Sequence, residues 1–310
     1  MTTPDHAAIT WAVRTLDPDG RQTRHETTPL ASRSDNEVYA LRLSDGTRYI
    51  VKMIAPGRVA AFAHERAITD YLAARGFPVP RVIAATAFPD TAMIVTLRAW
   101  LSGQPIGAWP DMNDMNVLAA PLARVHCLRL DDVRGLWQYP EDHADTPGDW
   151  ATNFVQKKIA GDLARVAPAL PEAVRAPLAD ELTAWGRSLT DAPVSLAPLH
   201  GDYYGDNVLM DGGVVTGLLD WEAARVGDPL WDLARTAVAA FADAPDAGAR
   251  FLAAYTAHVP WAVDTARIRR YRLLMALGDL RYAVRHAPDL IPTRVPVVVH
   301  LWQQCVGEDR

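Results

Sequence analysis

The sequence predicts an α+β chain of two lobes, a small β-rich lobe followed by a larger, mostly helical one. Three observations carry this expectation. The chain has 310 residues, more than one ordinary hydrophobic core needs. Its first hundred residues mix strand-like runs with one helical stretch. Beyond them apolar residues recur at helical spacing, interrupted by a strand–loop–strand segment over 195–220. The spacing places the lobe boundary between residues 98 and 99, giving lobes of 1–98 and 99–310. No internal repeat is present.

Elements follow in order along the chain. Asn36–Leu43 and Arg48–Ile54 read as strands, and Ser44-Asp45-Gly46-Thr47 between them as a hairpin turn. Pairing them about Asp45-Gly46 sets Lys52 opposite Tyr39 and Ile50 opposite Leu41, all four on one sheet face. A helix follows over Val59–Arg75, ended by Gly76, and Phe77-Pro78-Val79-Pro80 forces extended chain. Met93–Leu97 is a short β-favouring run. Asn113–Cys127 has helical periodicity, whereas 131–150 carries Pro, Gly, Trp and acids without a period. Residues 151–190 return to Ala-rich helix with prolines 168, 171 and 177 as breaks, and 229–310 are helices again.

Composition narrows the function classes. Hydrophobic residues make up 49% and charged residues 22%, an ordinary globular balance that excludes disorder. The net charge of −6, with no Lys/Arg-rich run, argues against a nucleic-acid partner. Cys127 and Cys305 lie far apart without a CxxC companion, so neither a disulfide framework nor a structural zinc is expected. Met1–Thr10 lacks the basic start and apolar stretch of a signal peptide. The longest apolar run, Val295–Trp302, is broken by His300 and falls far short of the ~20 residues of a membrane span. We expect a cytoplasmic protein with reduced thiols and no membrane partner, acting as a monomer or homodimer.

The chemistry concentrates in Leu199-His200-Gly201-Asp202-Tyr203-Tyr204-Gly205-Asp206-Asn207-Val208-Leu209 and Leu218-Leu219-Asp220-Trp221-Glu222. Val208–Met210 and Val215–Leu219, joined by Asp211-Gly212-Gly213, read as a hairpin that sets Asn207 opposite Asp220 at its open end. Two oxygen ligands so placed can share one Mg²⁺. Asp202 lies on the loop before the hairpin. Phosphoryl transfer requires this inventory, a carboxylate to orient the attacking hydroxyl and accept its proton, and ligands that hold cations on phosphate oxygens. The first hairpin adds a lysine, Lys52, on an apolar face. Glu65 falls on the same helical stripe as Phe62, Ile68 and Leu72. Either each charge resolves the other, or the lysine snorkels at a strand edge and the glutamate is solvated.

His-Gly-Asp-x₄-Asn, then Leu-Asp-Trp, then Gly227-Asp228-Pro229-x₂-Asp232-Leu233-Ala234 resembles the aminoglycoside phosphotransferase family. Matches such as Gly76–Val82 and Leu122–His126 extend the likeness over most of residues 30–240. The resemblance implies a bilobal protein-kinase-like fold and transfer of phosphate from ATP or GTP, with Mg²⁺, to a small-molecule hydroxyl. It implies Asp202 as catalytic base and Asn207 and Asp220 as metal ligands. It assigns Lys52 to the nucleotide phosphates and Glu65 as its partner. Ser34 and Asn36 stand where a phosphate-covering loop belongs, without a GxGxxG motif. Met93–Arg98 would be the hinge whose backbone groups meet the adenine, Thr96 and Arg98 among them. Asp232 would accept hydrogen bonds from amides of the catalytic loop, which His200 would brace.

The acceptor is harder to read. Asp131–Trp150 holds six acids, one arginine, and Trp137, Tyr139 and Trp150. That mixture suits a cationic, hydroxyl-rich antibiotic, with Asp142, Asp149 and Trp150 as contacts. It equally suits a solvated acidic loop. Tyr203 is either a packing residue or a wall of the acceptor pocket, and Glu222 and Asp279 are further candidates. An antibiotic kinase is the favoured expectation. A metabolite kinase for an amino alcohol or sugar derivative is the alternative, and a non-catalytic nucleotide-binding regulator the third.

Overall fold

The structure is a computed structural model and describes residues 6–20, 24–30, 36–88, 92–107, 114–137, 144–192, 194–241 and 244–307. Ser34, Tyr139 and Asp142 lie outside the described residues. The chain packs as two compact units, Met1–Pro105 with Asn207–Glu222, and Ile106–Asp206 with Ala223–Arg310. The first unit therefore takes in a later segment of sequence, the hairpin that begins at Asn207.

In the first unit, helix α1 (His6–Leu16) precedes strands β1 (His25–Leu30), β2 (Glu37–Leu43) and β3 (Arg48–Ile54). Helix α2 (Val59–Ala73), strands β4 (Val82–Phe88) and β5 (Met93–Ala99), and the short β6 (Gln104–Pro105) follow. Five strands form one antiparallel sheet in the order β1-β2-β3-β5-β4. Ala8, Ile9 and Ala12 of α1 cover one face, packing with Tyr39, Leu41, Val51, Met53, Val95 and Leu97. Phe62 of α2 packs with Ile54 and Val82 on the other. The sequence reading missed α1, β1 and β4. Polar residues at His6 and Thr10 mask the i, i+3, i+4 spacing of α1, and β1 is exposed along most of its length.

The register of the first hairpin differs from expectation by one residue. Lys52 pairs with Val38 and Ile50 with Ala40, while Tyr39 faces Val51 and Leu41 faces Tyr49. The turn takes in five residues between paired positions. The Gly46 amide donates to Leu43 O at 3.0 Å, and Gly46 has φ 88°, a left-handed bulge that lengthens a tight turn. A one-residue slip reverses which face each side chain uses. Tyr39 and Leu41 thus belong to the α1 face, and Lys52 and Ile50 to the α2 face. Glu65 sits on the buried stripe of α2 with Phe62, Ile68 and Leu72, as the periodicity requires.

The later hairpin, β8 (Val208–Asp211) and β9 (Val214–Leu218), turns through Gly212-Gly213 with φ 56° and 83°. That is the two-residue turn matched to strand twist. β6 adds a third strand beside β8. A bulge at Thr216 shifts the register, so Leu209 pairs with Gly217 but Met210 with Val215. Asn207 O consequently accepts from Leu219 N at 2.8 Å. Asn207 stands opposite Leu219, and Asp220 lies one residue beyond the expected register.

The second unit is largely helical. It contains α3 (Asn116–His126), α4 (Leu130–Trp137), α5 (Pro147–Asp149) running through a π-helical segment Trp150–Gln156 into α6 (Lys157–Val166), and α7 (Glu172–Ser188). Strands β7 (Ala197–Leu199) and β10 (Arg225–Gly227) pair antiparallel. The chain ends in α8 (Leu230–Ala240), α9 (Pro245–Thr256), α10 (Thr265–His286) and α11 (Ile291–Gly307). The segment 131–150, expected to be irregular, includes α4. Val133 and Trp137 bury one turn apart, and Asp131 and Asp132 occupy the first turn where the helix dipole favours them. Pro177 does not end its helix, because Val174, Leu178 and Leu182 bury on one face of α7 around it. Among the described residues no helix is long and apolar enough to cross a membrane.

Candidate active site

In the first unit the α2 face of the sheet gathers charge. Lys52 Nζ lies 3.5 Å from Glu65 Oε2, so the expected pair meets. A closer partner holds the glutamate. Arg98 Nη1 and Nη2 donate to Glu65 Oε1 and Oε2 at 2.7 and 3.0 Å, the bidentate geometry that makes arginine–carboxylate pairs strong. Burial alone would raise the Glu65 pKa. The Arg98 charge and hydrogen bonds, with Lys52, outweigh it and hold the group down to about 2. Arg98 Nε donates to Thr96 Oγ1 at 3.1 Å, and Thr96 Oγ1 to Lys52 O at 3.2 Å. Thr96 and Arg98 are both buried. Their side chains are committed to the sheet and to Glu65, which leaves their backbone groups for the adenine contact expected of this hinge.

Glu222 also differs from expectation. Sequence placed it with the acceptor; the structure places it at Lys52. Lys52 Nζ donates to Glu222 Oε1 at 3.1 Å and Asn36 Nδ2 to the same oxygen at 3.3 Å. The Arg58 guanidinium donates to Oε2. Asn36 Oδ1 accepts from Ala55 N at 3.4 Å, which fixes its amide in this orientation.

Asn207 and Asp220 flank the base of the β8–β9 hairpin. Asn207 is buried and Asp220 exposed. Asp220 has φ 61°, a left-handed conformation that aspartate tolerates better than most residues and that clusters at functional sites. One amide oxygen and one carboxylate form a hard-oxygen donor set. Among the described residues no cluster of three or more His, Cys, Asp or Glu could hold a metal. Such a sparse set fits Mg²⁺, which keeps waters and completes its shell with substrate phosphates, better than Zn²⁺ or Ca²⁺.

In the second unit Asp202 sits on a braced loop. Asp232 Oδ2 and Oδ1 accept from the His200 and Gly201 amides at 2.7 and 2.8 Å. His126 Nε2 lies 3.1 Å from Asp232 Oδ2, and its Nδ1 lies 2.6 Å from Tyr255 Oη. Burial would raise the Asp232 pKa, but the His126 and His200 contacts outweigh it and lower it. His200 Nδ1 accepts the Asp202 amide at 3.3 Å, so His200 braces the loop. Gly201 has φ 84°, and a Cβ there would lie 2.1 Å from Ala223 O. Only glycine fits between His200 and Asp202. Arg235 Nε donates to Asp202 Oδ1 at 2.8 Å.

Several acceptor candidates prove structural. Tyr203 is fully buried, with its hydroxyl on Leu118 O at 2.7 Å. Its neighbour Tyr204 instead lies under the Arg235 guanidinium. Asp149 closes a capping box with Thr146. Trp150 is fully buried, with its indole N–H on Tyr271 Oη at 3.0 Å. Asp279 is partly exposed and within electrostatic reach of Arg235.

The description of a phosphotransferase enzyme family matches residues 26–271. The chain belongs to this family. Homoserine kinase of Pseudomonas aeruginosa (strain LESB58) is 30% identical over 211 residues, 67% of this chain and 62% of that protein. The match thus spans less than two thirds of that relative. A macrolide 2'-phosphotransferase from Brachybacterium faecium superposes with a TM-score of 0.64 at 21% identity, covering 92% of this chain and 97% of its own. An aminoglycoside phosphotransferase from Streptomyces rimosus, in complex with ADP and streptomycin, superposes with a TM-score of 0.56 at 23% identity, covering 87% and 98%. The bilobal kinase-like fold expected of the family is therefore the fold of this chain.

Within the phosphotransferase frame, sequence reasoning missed Arg58, Arg235 and the role of Arg98. Arg235 had a signal. It is a lone cation in the otherwise uncharged stretch after Asp232, three residues along α8. Arg98 had one too, since it alternates with Thr96 on the Lys52 face of the sheet. Arg58 had none, because its partner is distant in sequence.

Proposed function

We propose that this chain is a nucleoside-triphosphate-dependent O-phosphotransferase that acts on a small-molecule hydroxyl. The observation that carries the reading is Asp202, held on a loop braced by Asp232, His200 and Gly201. Its Oδ1 takes the Arg235 hydrogen bond, and its carboxylate would orient the acceptor hydroxyl and take its proton. Lys52 would bind donor phosphate. Asn207 and Asp220 would hold Mg²⁺, which supplies neutralisation of phosphate charge. ATP or GTP would serve as donor; the ADP-bound relative supports a nucleotide.

For the acceptor we favour a metabolite over an antibiotic. The cationic-antibiotic expectation rested on the acidic, aromatic segment 131–150. Asp149 there caps a helix, Trp150 is core, and Asp145 pairs with Arg134 at 2.9 Å. Around Asp202 stand instead a cation, Arg235, and a nearby acid, Asp279. Both signs of charge suit an amino alcohol or a hydroxy amino acid, in line with the homoserine kinase relative. The test is a Mg²⁺-nucleotide turnover screen with mass detection of phosphorylated product. Its substrates are homoserine, amino alcohols, amino sugars, aminoglycosides and macrolides. Preferred turnover of an aminoglycoside or macrolide would overturn the metabolite reading. Turnover of none of them, with nucleotide bound, would favour the regulator.

A further inference from the structure

Three donors converge on the Glu222 carboxylate. Lys52 and Asn36 share Oε1, and Arg58 takes Oε2. Side-chain exposure is 12% for Lys52, 18% for Glu222 and 35% for Arg58. A nest of one ammonium, one guanidinium and one amide is built for an oxyanion, and a phosphate oxygen would accept the same three bonds. Glu65 holds Lys52 less closely, at 3.5 Å, and Arg98 engages both of its oxygens. Among the described residues the Arg58 side chain has no acidic partner besides Glu222.

We infer that Arg58 is a nucleotide-phosphate ligand alongside Lys52, and that Glu222 is a resident anion which the phosphate displaces. The inference rests on the nucleotide-binding role proposed for Lys52. It makes opposite predictions for two neighbours in one ion pair. Arg58 is lost to the ligand when removed. Glu222 is lost as a competitor.

The experiment is calorimetric titration of the full chain with ADP in EDTA. Without divalent cation, ligation by Asn207, Asp220 or Glu222 contributes nothing. Arg58→Gln should weaken ADP binding by roughly tenfold, the weight of one charge-assisted hydrogen bond. Glu222→Gln should tighten it by a similar factor of roughly ten, since the ligand no longer displaces a charged occupant. Arg58→Lys, which keeps the charge, should retain most of the affinity, and thermal unfolding of each variant checks the fold. If Arg58 only restrains Glu222, Arg58→Gln will bind ADP as tightly as the parent or tighter, and the inference falls. If Glu222 serves to place Lys52, Glu222→Gln will bind more weakly, and it falls equally. Lys52→Ala separates the two levels. Loss of binding in Lys52→Ala with no change in the other two overturns this inference alone. A parent that binds no ADP, with or without Mg²⁺, overturns the nucleotide reading and this inference together.

Discussion

Arg98 grips both oxygens of Glu65, at 2.7 and 3.0 Å, while Lys52 stands 3.5 Å from the same carboxylate. The helix glutamate is thus neutralised from within the sheet whether or not Lys52 attends it. This changes what the lysine is for. Where a strand lysine is the sole partner of a helix glutamate, the pair stands or falls together. Here Lys52 can turn to Glu222, or to an incoming phosphate, without leaving a buried charge behind.

Stability should follow Arg98 and not Lys52. Glu65→Ala strands a guanidinium that is almost wholly buried, and breaking such a pair costs about 3–5 kcal/mol. Lys52→Ala should cost far less, since Glu65 keeps its two stronger bonds. Joint replacement, Glu65→Leu with Arg98→Met, should recover most of the loss. Urea denaturation of the three variants decides the matter. Equal losses for Lys52→Ala and Glu65→Ala would mean the lysine carries the pair.

Acid should expose the same pair. The Glu65 carboxyl is held at about 2 against its ordinary 4.5. A carboxyl depressed on folding contributes stability that is present above 4.5 and is lost as the pH falls toward 2. The melting temperature of the parent should therefore fall more steeply across that window than that of Glu65→Gln, which has no proton to take up. Parallel profiles for the two proteins would exclude Glu65 as a source of acid sensitivity.

Much of this was legible in the sequence, and the failures have a common physical form. The spacing of Phe62, Glu65, Ile68 and Leu72 placed a carboxylate in a core stripe, and the structure puts it there. Asp232 was expected on the amides of the catalytic loop, and it accepts both. Registers were misread because a bulge is one residue, and one residue turns a side chain to the opposite face. Gly46 lengthened the first turn and Thr216 shifted the second hairpin. The partnerships of Arg98, Arg58 and Glu222 went unread because the partners lie 33 and 164 residues away in the chain, where periodicity carries no information. Trp150 and Asp149 were misread because aromatics and acids look alike in a pocket wall and in a capped, buried helix start.

Asp202 should govern turnover and little else. Asp202→Asn keeps size and the Arg235 contact but removes the proton acceptor. Turnover should drop by roughly 10²–10⁴-fold, the usual weight of general-base assistance, with nucleotide affinity unchanged. Gly201→Ala should reduce turnover as well, because its methyl would collide with the Ala223 carbonyl and displace the Asp202 loop. Steady-state kinetics beside nucleotide titration checks both. Near-parental turnover in Asp202→Asn would remove that residue from the catalytic role.

The proposed metal ligands should be unequal. Asp220 would bring a charge to Mg²⁺ and Asn207 only a dipole, so losing Asp220 should reduce Mg²⁺-dependent nucleotide binding further than Asn207→Ala does. The choice of variant matters, because Asp220 sits at φ 61°. Alanine is strained there, and a loss in Asp220→Ala would mix backbone with ligation. Asparagine tolerates the left-handed region, so Asp220→Asn removes the charge and keeps the turn. Nucleotide titration with and without Mg²⁺ should show the Mg²⁺-dependent gain in affinity almost abolished in Asp220→Asn and reduced in Asn207→Ala, with the metal-free affinities close to parental. A full Mg²⁺-dependent gain in Asp220→Asn would move the metal away from the base of the β8–β9 hairpin and leave the kinase reading without its cation.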